Sequence, residues 1–241
     1  MRKAFMRLAS LLTSGSRGRD IMVKRVSLGI LLAGVLIVGA GQAAADPPTP
    51  VTCPYTITAP GQYFLASDCT VEGITIAASD VHLKLMGHTM NGVIPLSVGI
   101  QAISVSHVHI EGPGTITNYA FGIGFNGVND SHVEQVSCTA NGEGLNLQNS
   151  TNTHVNNNVF SMNGFAGVFF IQSSDNHLNN NQVMGNGLYG IVVANGSTSN
   201  HINGNTALGN GTFDLDDENP SCDNNMWNGN IFVNANQPCI H

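Results

Sequence analysis

Beyond residue 53 the apolar positions come in short alternating runs, and Gly and Asn break them up at regular intervals. No run carries a helical heptad or a long amphipathic stripe, so the pattern predicts strands. Four segments align on one another: SHVEQVSCTANG from Ser131, THVNNNVFSMNG from Thr153, NHLNNNQVMGNG from Asn176 and NHINGNTALGNG from Asn200. Each carries a His in second place followed by Val, Leu or Ile, passes through polar residues rich in Asn, and closes on Asn-Gly. A short strand signal follows in the first three cases, at Gly144–Leu147, Gly167–Phe170 and Gly190–Val193. Weaker copies begin at Gly99 and Gly122, and the steps between these glycines are 23, 22, 23 and 23 residues.

A period of this length marks stacked supersecondary units. The Leu-x-x-Leu-x-Leu pattern of leucine-rich repeats is missing. A rung of 22–24 residues suits three short strands and three turns of a parallel β-helix. Each strand then pairs with its equivalents above and below, about 4.8 Å away. The expected fold is all-β, a single-stranded solenoid of about seven rungs. Repeats are expected over 74–218, a disulfide-closed N-terminal cap over 46–73 and a disulfide-closed C-terminal cap over 219–241.

Strand alternation assigns the faces. Ile123/Phe125, Leu145/Leu147, Val168/Phe170 and Ile191/Val193 are expected to point inward, and Asn146, Phe169 and Val192 outward. Cys138 aligns with Phe160, Val183 and Ala207, an apolar inward column, and is expected to be a small buried hydrophobe. Asn158, Asn181 and Asn205 form a column whose amides can hydrogen-bond along the stack.

The first 45 residues differ in kind. Lys24 and Arg25 precede an apolar run from Val26 to Ala40 and then Gln42-Ala43-Ala44-Ala45-Asp46, the layout of a secretory signal peptide. Met22 is an alternative start; an uncleaved N-terminal anchor is the competing assignment for the apolar run, which is short for a membrane span. Without residues 1–45 the chain keeps one basic residue, Lys84, no Arg and 14 acidic residues, a net charge of −13 with His neutral. That balance argues against nucleic acid, anionic membrane surfaces and polyanions as partners. In an exported chain Cys53–Cys69 and Cys222–Cys239 are the expected disulfides, with Cys138 left over.

From about residue 53 to the C-terminus the chain resembles the right-handed parallel β-helix proteins of the pectate-lyase-like superfamily, especially small secreted bacterial members. Ile74–Thr89 is similar to their usual first rung and Thr56–Leu65 to their N-terminal opening strand. The resemblance implies a right-handed coil. It does not imply one activity, because the fold carries lyases, hydrolases, epimerases and adhesins. The Arg base of the pectate lyases has no counterpart here.

Candidate chemistry is sparse. Asp214-Leu215-Asp216-Asp217-Glu218 is the one dense acidic stretch. With Leu215 inward, Asp214 and Asp216 share an outer face about 6.7 Å apart, a separation suited to inverting glycoside hydrolysis. The same four acids are a candidate calcium site, or a plain acidic turn. His107, His132, His154, His177 and His201 recur at one place in the rung, and a repeated residue usually does a repeated structural job. Asp175, two residues before His177, could orient that ring as an acid–base pair. Phe169, Ile171, Val192 and Tyr189 form an outward strip that could stack sugar rings. Two functions follow: an exported protein that binds extracellular polysaccharide or modifies it as a carbohydrate-active enzyme, or a non-catalytic structural or adhesive surface protein. No cofactor is evident beyond the calcium candidate.

Overall fold

The computed structural model describes residues 47–70, 72–93, 97–194 and 196–241, all within one unit, Ala44–His241. The expected leader lies outside them. The described chain is a parallel β-solenoid of about seven turns. No α-helix occurs among the described residues, which hold one short 3-10 turn at Pro220–Cys222.

Each rung crosses three faces. The first, here the glycine face, is an eight-stranded sheet running from Tyr55–Ile57 through Ile74–Ile76, Val98–Ile103, Phe121–Asn126, Glu143–Gln148, Ala166–Ile171 and Tyr189–Val193 to Phe213–Asp217. The second, the histidine face, stacks Val81–Lys84, the start of Val108–Thr117, the start of His132–Thr139, His154–Asn156, His177–Asn179, His201–Asn203 and Met226–Asn228. The third stacks Thr89–Asn91, the ends of the two longer strands, Val159–Ser161, Gln182–Met184 and Thr206–Leu208.

The interior is filled by one apolar column or more from each face. Ile123, Leu145, Val168 and Ile191 come from the glycine face. Leu83, Ile110, Val133, Val155, Leu178, Ile202 and Trp227 come from the histidine face, and Met90, Ile116, Cys138, Phe160, Val183 and Ala207 from the third. Each large side chain so buried contributes about 1.5–3 kcal/mol. The expected inward residues of the glycine face are all in place, and Cys138 stands between Ile116 and Phe160. It is a free, buried thiol, and burial pushes its pKa up. The two expected disulfides, Cys53–Cys69 and Cys222–Cys239, are present.

The corners are held by buried amides. Asn158, Asn181, Asn205 and Asn230 stack between the histidine face and the third face. The Oδ1 of Asn181, Asn205 and Asn230 each accepts both the backbone N–H and the Nδ2–H of the asparagine one rung before it, at 2.9–3.1 Å, and Asn158 at the head of the column accepts the Val136 N–H. The spare Nδ2 hydrogen goes to a carbonyl of the preceding rung, as from Asn181 to Val155. Asn141, Asn163, Asn186 and Asn210 repeat the arrangement between the third face and the glycine face. Asn176, Asn200 and Asn225 do so before the histidine face, beside a hydroxyl column of Ser150, Ser173 and Ser197. An amide has two acceptor lone pairs and two donor hydrogens, and the ladder satisfies all four.

The same ladder explains the rung glycines. A Cβ on Gly144 would lie 2.5 Å from the Gly167 carbonyl oxygen and 3.0 Å from the Asn163 amide. One on Gly190 would lie 2.3 Å from the Asp214 carbonyl and 2.8 Å from the Asn210 amide. Glycine is required where the amide column crosses beneath the next strand.

Asn181→Ala orphans two buried donors on Asn158 and is expected to cost about 2–5 kcal/mol. Asn203→Ala, on the half-buried outer column, is expected to cost under about 1 kcal/mol. Urea-unfolding midpoints of the two variants check the contrast.

Candidate metal centre on the histidine face

Strand alternation turns the residue just before the inward Leu83, Ile110, Val133 and their equivalents outward, and parallel pairing lines those residues up. The column runs Gln62, His82, His109, His132, His154, His177, His201, Met226. His107 does not belong to it. That residue sits in the preceding turn with φ 55°, and its ring instead faces Asp80 at 3.1 Å. The pairing of Val81 with Val108 puts His109 opposite His82. The sequence held the signal: His109 to His132 is one 23-residue period, whereas His107 to His132 is 25.

The rings stack. Centroid separations are 4.3 Å for His82–His109, 4.9 Å for His132–His154 and 4.7 Å for His154–His177, with interplanar angles of 5°, 11° and 7°. His109–His132 is wider and tilted, at 5.8 Å and 59°. Partial burial holds His132, His154 and His177 below the ordinary imidazole pKa, and each is pushed further down by a neighbouring imidazole. Both effects favour the uncharged form of these rings.

Two residues along each strand lies a second outward column: Lys84, Glu111, Glu134, Asn156, Asn179, Asn203, Asn228. Its carboxylates face the first histidines diagonally. His82 Nε2 is 2.7 Å from Glu111 Oε2, and His109 Nε2 is 2.8 Å from Glu134 Oε1. Lys84 Nζ donates to Glu111 at 3.0–3.2 Å. One ligand atom each from His82, His109 and Glu111 lie within 4.8 Å of one another, all half-buried. Burial lowers the His82 pKa more than the Glu111 hydrogen bond raises it, and Lys84 and His82 together lower that of Glu111. Two imidazoles beside a carboxylate make a nitrogen–oxygen donor set suited to copper or zinc. A cavity of about 260 Å³ opens over His82, lined also by Lys84, Met86, Tyr63 and Phe64.

The residues singled out in sequence fall elsewhere. Asp175 is exposed in a turn with φ 56° and makes no hydrogen bond to His177, which lies between His154 and His201. Phe169 and Tyr189 stand half-buried on the glycine face. Phe165 packs against both, at 5.8 Å and 5.5 Å between ring centroids. Ile171 is half-buried at the end of the same strand. Val192 lies in the outward column between Phe169 and Asp216 but is only 1% exposed; flanked on both sides, it is closed to a ligand.

Asp214 and Asp216 do not share an open outer face. Asp214 takes the rung-glycine place, beside Gly190, and its Oδ1 accepts the last amide of a ladder, Asn210, at 2.8 Å. Its Oδ2 accepts the Val233 and Asn234 N–H groups. Asp217 is fully buried and accepts from Asn219, Asn225 and Trp227 Nε1. Both carboxylates are spent on amide donors. Asp216 is 4% exposed and its pKa is raised to about 6, by burial first and then by Glu218 and Asp217. Glu218 is exposed beside it.

These features define a parallel β-helix protein with one face lined by imidazoles. Residues 61–240 match the profile of the family described as "Periplasmic copper-binding protein (NosD)", and the chain belongs to that family. The family's periplasmic description agrees with the exported location expected from the leader. No helix among the described residues is long and apolar enough to cross a membrane. No curated protein sequence matches the chain. Among solved structures, an alginate lyase from Paenibacillus sp. str. FPU-7 is similar over 68% of this chain and 74% of its own, at 12% identity and a TM-score of 0.43. A likeness that loose carries no functional argument.

A carboxylate whose folded pKa is raised favours folding below its unfolded value near 3.8, and that stability is lost as pH rises through about 6. Asp216→Asn is therefore expected to stabilise the protein above pH 6, on the order of 2 kcal/mol at pH 7, with little effect at pH 4. Thermal midpoints of the two chains across that range check it.

Proposed function

We propose that this exported β-helix binds a copper-class transition metal at His82, His109 and Glu111. The observation that carries the proposal is the convergence of their three ligand atoms on adjacent rungs of a rigid sheet. The family description names copper, and the donor set fits that metal by its chemistry. Imidazole nitrogen is a good copper ligand, and one carboxylate offsets part of the added charge. Glu134 stands behind His109 as the group that would fix its ring. Lys84 opposes binding by holding the Glu111 carboxylate. Calcium at the acidic turn gains no support, since the Asp214 and Asp217 oxygens already hold amide donors.

Copper(II) titration against a competing chelator, read by electron paramagnetic resonance, tests the site. His82→Ala or His109→Ala is expected to lower affinity at least tenfold, and Lys84→Ala to raise it. Unchanged affinity in both histidine variants would overturn the assignment.

A second reading keeps the polysaccharide expectation on the glycine face. Phe165, Phe169 and Tyr189 form an aromatic group beside Glu143, whose carboxylate accepts the Asn146 amide at 2.7 Å, and Asn146 is in register with Phe169. Aromatic rings beside a carboxylate and an amide suit a neutral sugar ring. Retention on immobilised neutral glycans is expected to fall in Phe169→Ala; no retention of the parent chain on a broad panel would sink this reading.

A further inference from the structure

We propose that Asn228-Gly229, at the C-terminal end of the histidine face, is a site of spontaneous deamidation, where the side-chain amide leaves as ammonia and aspartate or isoaspartate takes its place. The inference goes beyond the metal-binding reading and is independent of it. It comes from following one backbone atom, the glycine nitrogen, through every Asn-Gly pair of the chain.

Asn-Gly is the dipeptide most open to this reaction, because glycine has no Cβ to crowd the attack. The glycine nitrogen gives up its proton to water or base and attacks the asparagine Cγ. A C–N bond closes a five-membered succinimide, the Cγ–Nδ2 bond breaks, and Nδ2 takes up a proton and leaves as ammonia. Water then opens the ring at one of its two carbonyls, giving aspartate or the β-linked isoaspartate. Nothing is oxidised or reduced. A fold opposes the reaction in two ways: by a hydrogen bond that keeps the proton on the glycine nitrogen, and by bonds that fix the side-chain amide.

The sequence holds nine Asn-Gly pairs. Four are in the amide ladder: Asn141, Asn163, Asn186 and Asn210 are buried, and the glycines after them donate to backbone carbonyls at 2.7–3.0 Å. Gly196 donates to Asn219 Oδ1 at 2.9 Å. Asn91 and Asn126 are exposed, yet Gly92 donates to the Thr117 carbonyl at 2.8 Å and Gly127 to that of Gln148 at 2.9 Å. Gly204 donates to the Asn228 carbonyl at 2.9 Å. The Gly229 N–H has no hydrogen-bond acceptor among the described residues.

The exception follows from the stacking. After each histidine-face strand, the turn amide donates to the outer-column carbonyl of the next rung: Asn157 to Asn179, Asn180 to Asn203, Gly204 to Asn228. Met226–Asn228 is the last strand of that face, so no further rung supplies a carbonyl to Gly229. Asn228 is exposed, and its Nδ2 makes one long bond, 3.3 Å to Asn203 Oδ1. The space beside Gly229, at φ 61°, is open to 4 Å. Nucleophile and electrophile are therefore both free. The product carboxylate cannot donate, so the bond to Asn203 is lost, and isoaspartate lengthens the strand whose carbonyl holds Gly204. Asn203-Gly204 is the pair released next.

Ageing the full chain in mildly alkaline buffer, folded and in guanidinium chloride, tests the site. Peptide mapping by mass spectrometry and enzymatic methyl labelling of isoaspartate follow each pair, and circular dichroism follows the fold. In the folded chain Asn228 is expected to convert at least about fivefold faster than Asn91 and Asn126, the factor that one net hydrogen bond supplies. The four ladder asparagines are expected to stay amides, and Asn203 to convert only after Asn228. In guanidinium chloride the preference disappears. Asn228→Gln is expected to remove the early product while leaving the fold intact. Equal rates at Asn228 and the two exposed controls, an intact Asn228 when the denatured chain has converted, a preference that survives denaturation, or Asn203 converting first would each overturn the proposal.

Discussion

The buried asparagine ladder is the constraint on which the rest of this structure depends. A solenoid turns its corners with backbone that leaves the sheet, and the polar groups there are walled off from water by the rungs above and below. Leaving them unpaired would cost about 1–3 kcal/mol each. Asn181 and Asn205 meet that demand by accepting two hydrogens from the rung before, sending two to the rung after and returning one to a carbonyl of the rung before. The arrangement works only if every corner places an amide at the same height. It therefore holds the rung length near 23 residues, requires glycine where the strand passes over the column, and locks the register of all three faces.

A ladder with a direction must end. Each rung sends two donors forward, so the final acceptor should accept without needing an acceptor of its own. Asp214 and Asp217 fill that role for Asn210, Asn219 and Asn225. Carboxylates are acceptor-only when ionised, so they close the stack where another asparagine would expose a fresh donor. The densest acidic stretch of the chain is thus a terminator. Asp216, in the same strand, has no ladder to end and bears the electrostatic cost of its two acidic neighbours.

Locked register also turns repetition into function. Any outward residue type recurring once per rung becomes a column at the strand spacing. Here that residue is histidine, giving a file of imidazoles across six rungs with carboxylates only at one end. The proposed copper-class centre uses the place where two columns differ in chemistry, His82 and His109 beside Glu111.

Period, parallel stacking, inward columns, the burial of Cys138 and both disulfides were legible in the chain, because each follows from residues a whole number of rungs apart. The histidine column was legible in kind but mistaken in one member. His107 and His109 both precede a β-branched residue, and the pairing of Val81 with Val108 puts His109 in the column, in keeping with its 23-residue step to His132. Glu111 and Lys84 were invisible as neighbours of that column because the first rungs are 27 residues apart at His82 and His109, outside the regular period. Whether Val192 is open, and whether Asp214 and Asp216 share a face, could not be read from alternation, since a one-residue offset at the rung glycine rotates Asp214 onto the amide ladder. The sequence by itself determined which residues recur and hence which must stack. The tertiary structure decided which chemically different columns lie side by side, because lateral adjacency depends on turn lengths and local offsets that a repeat does not encode.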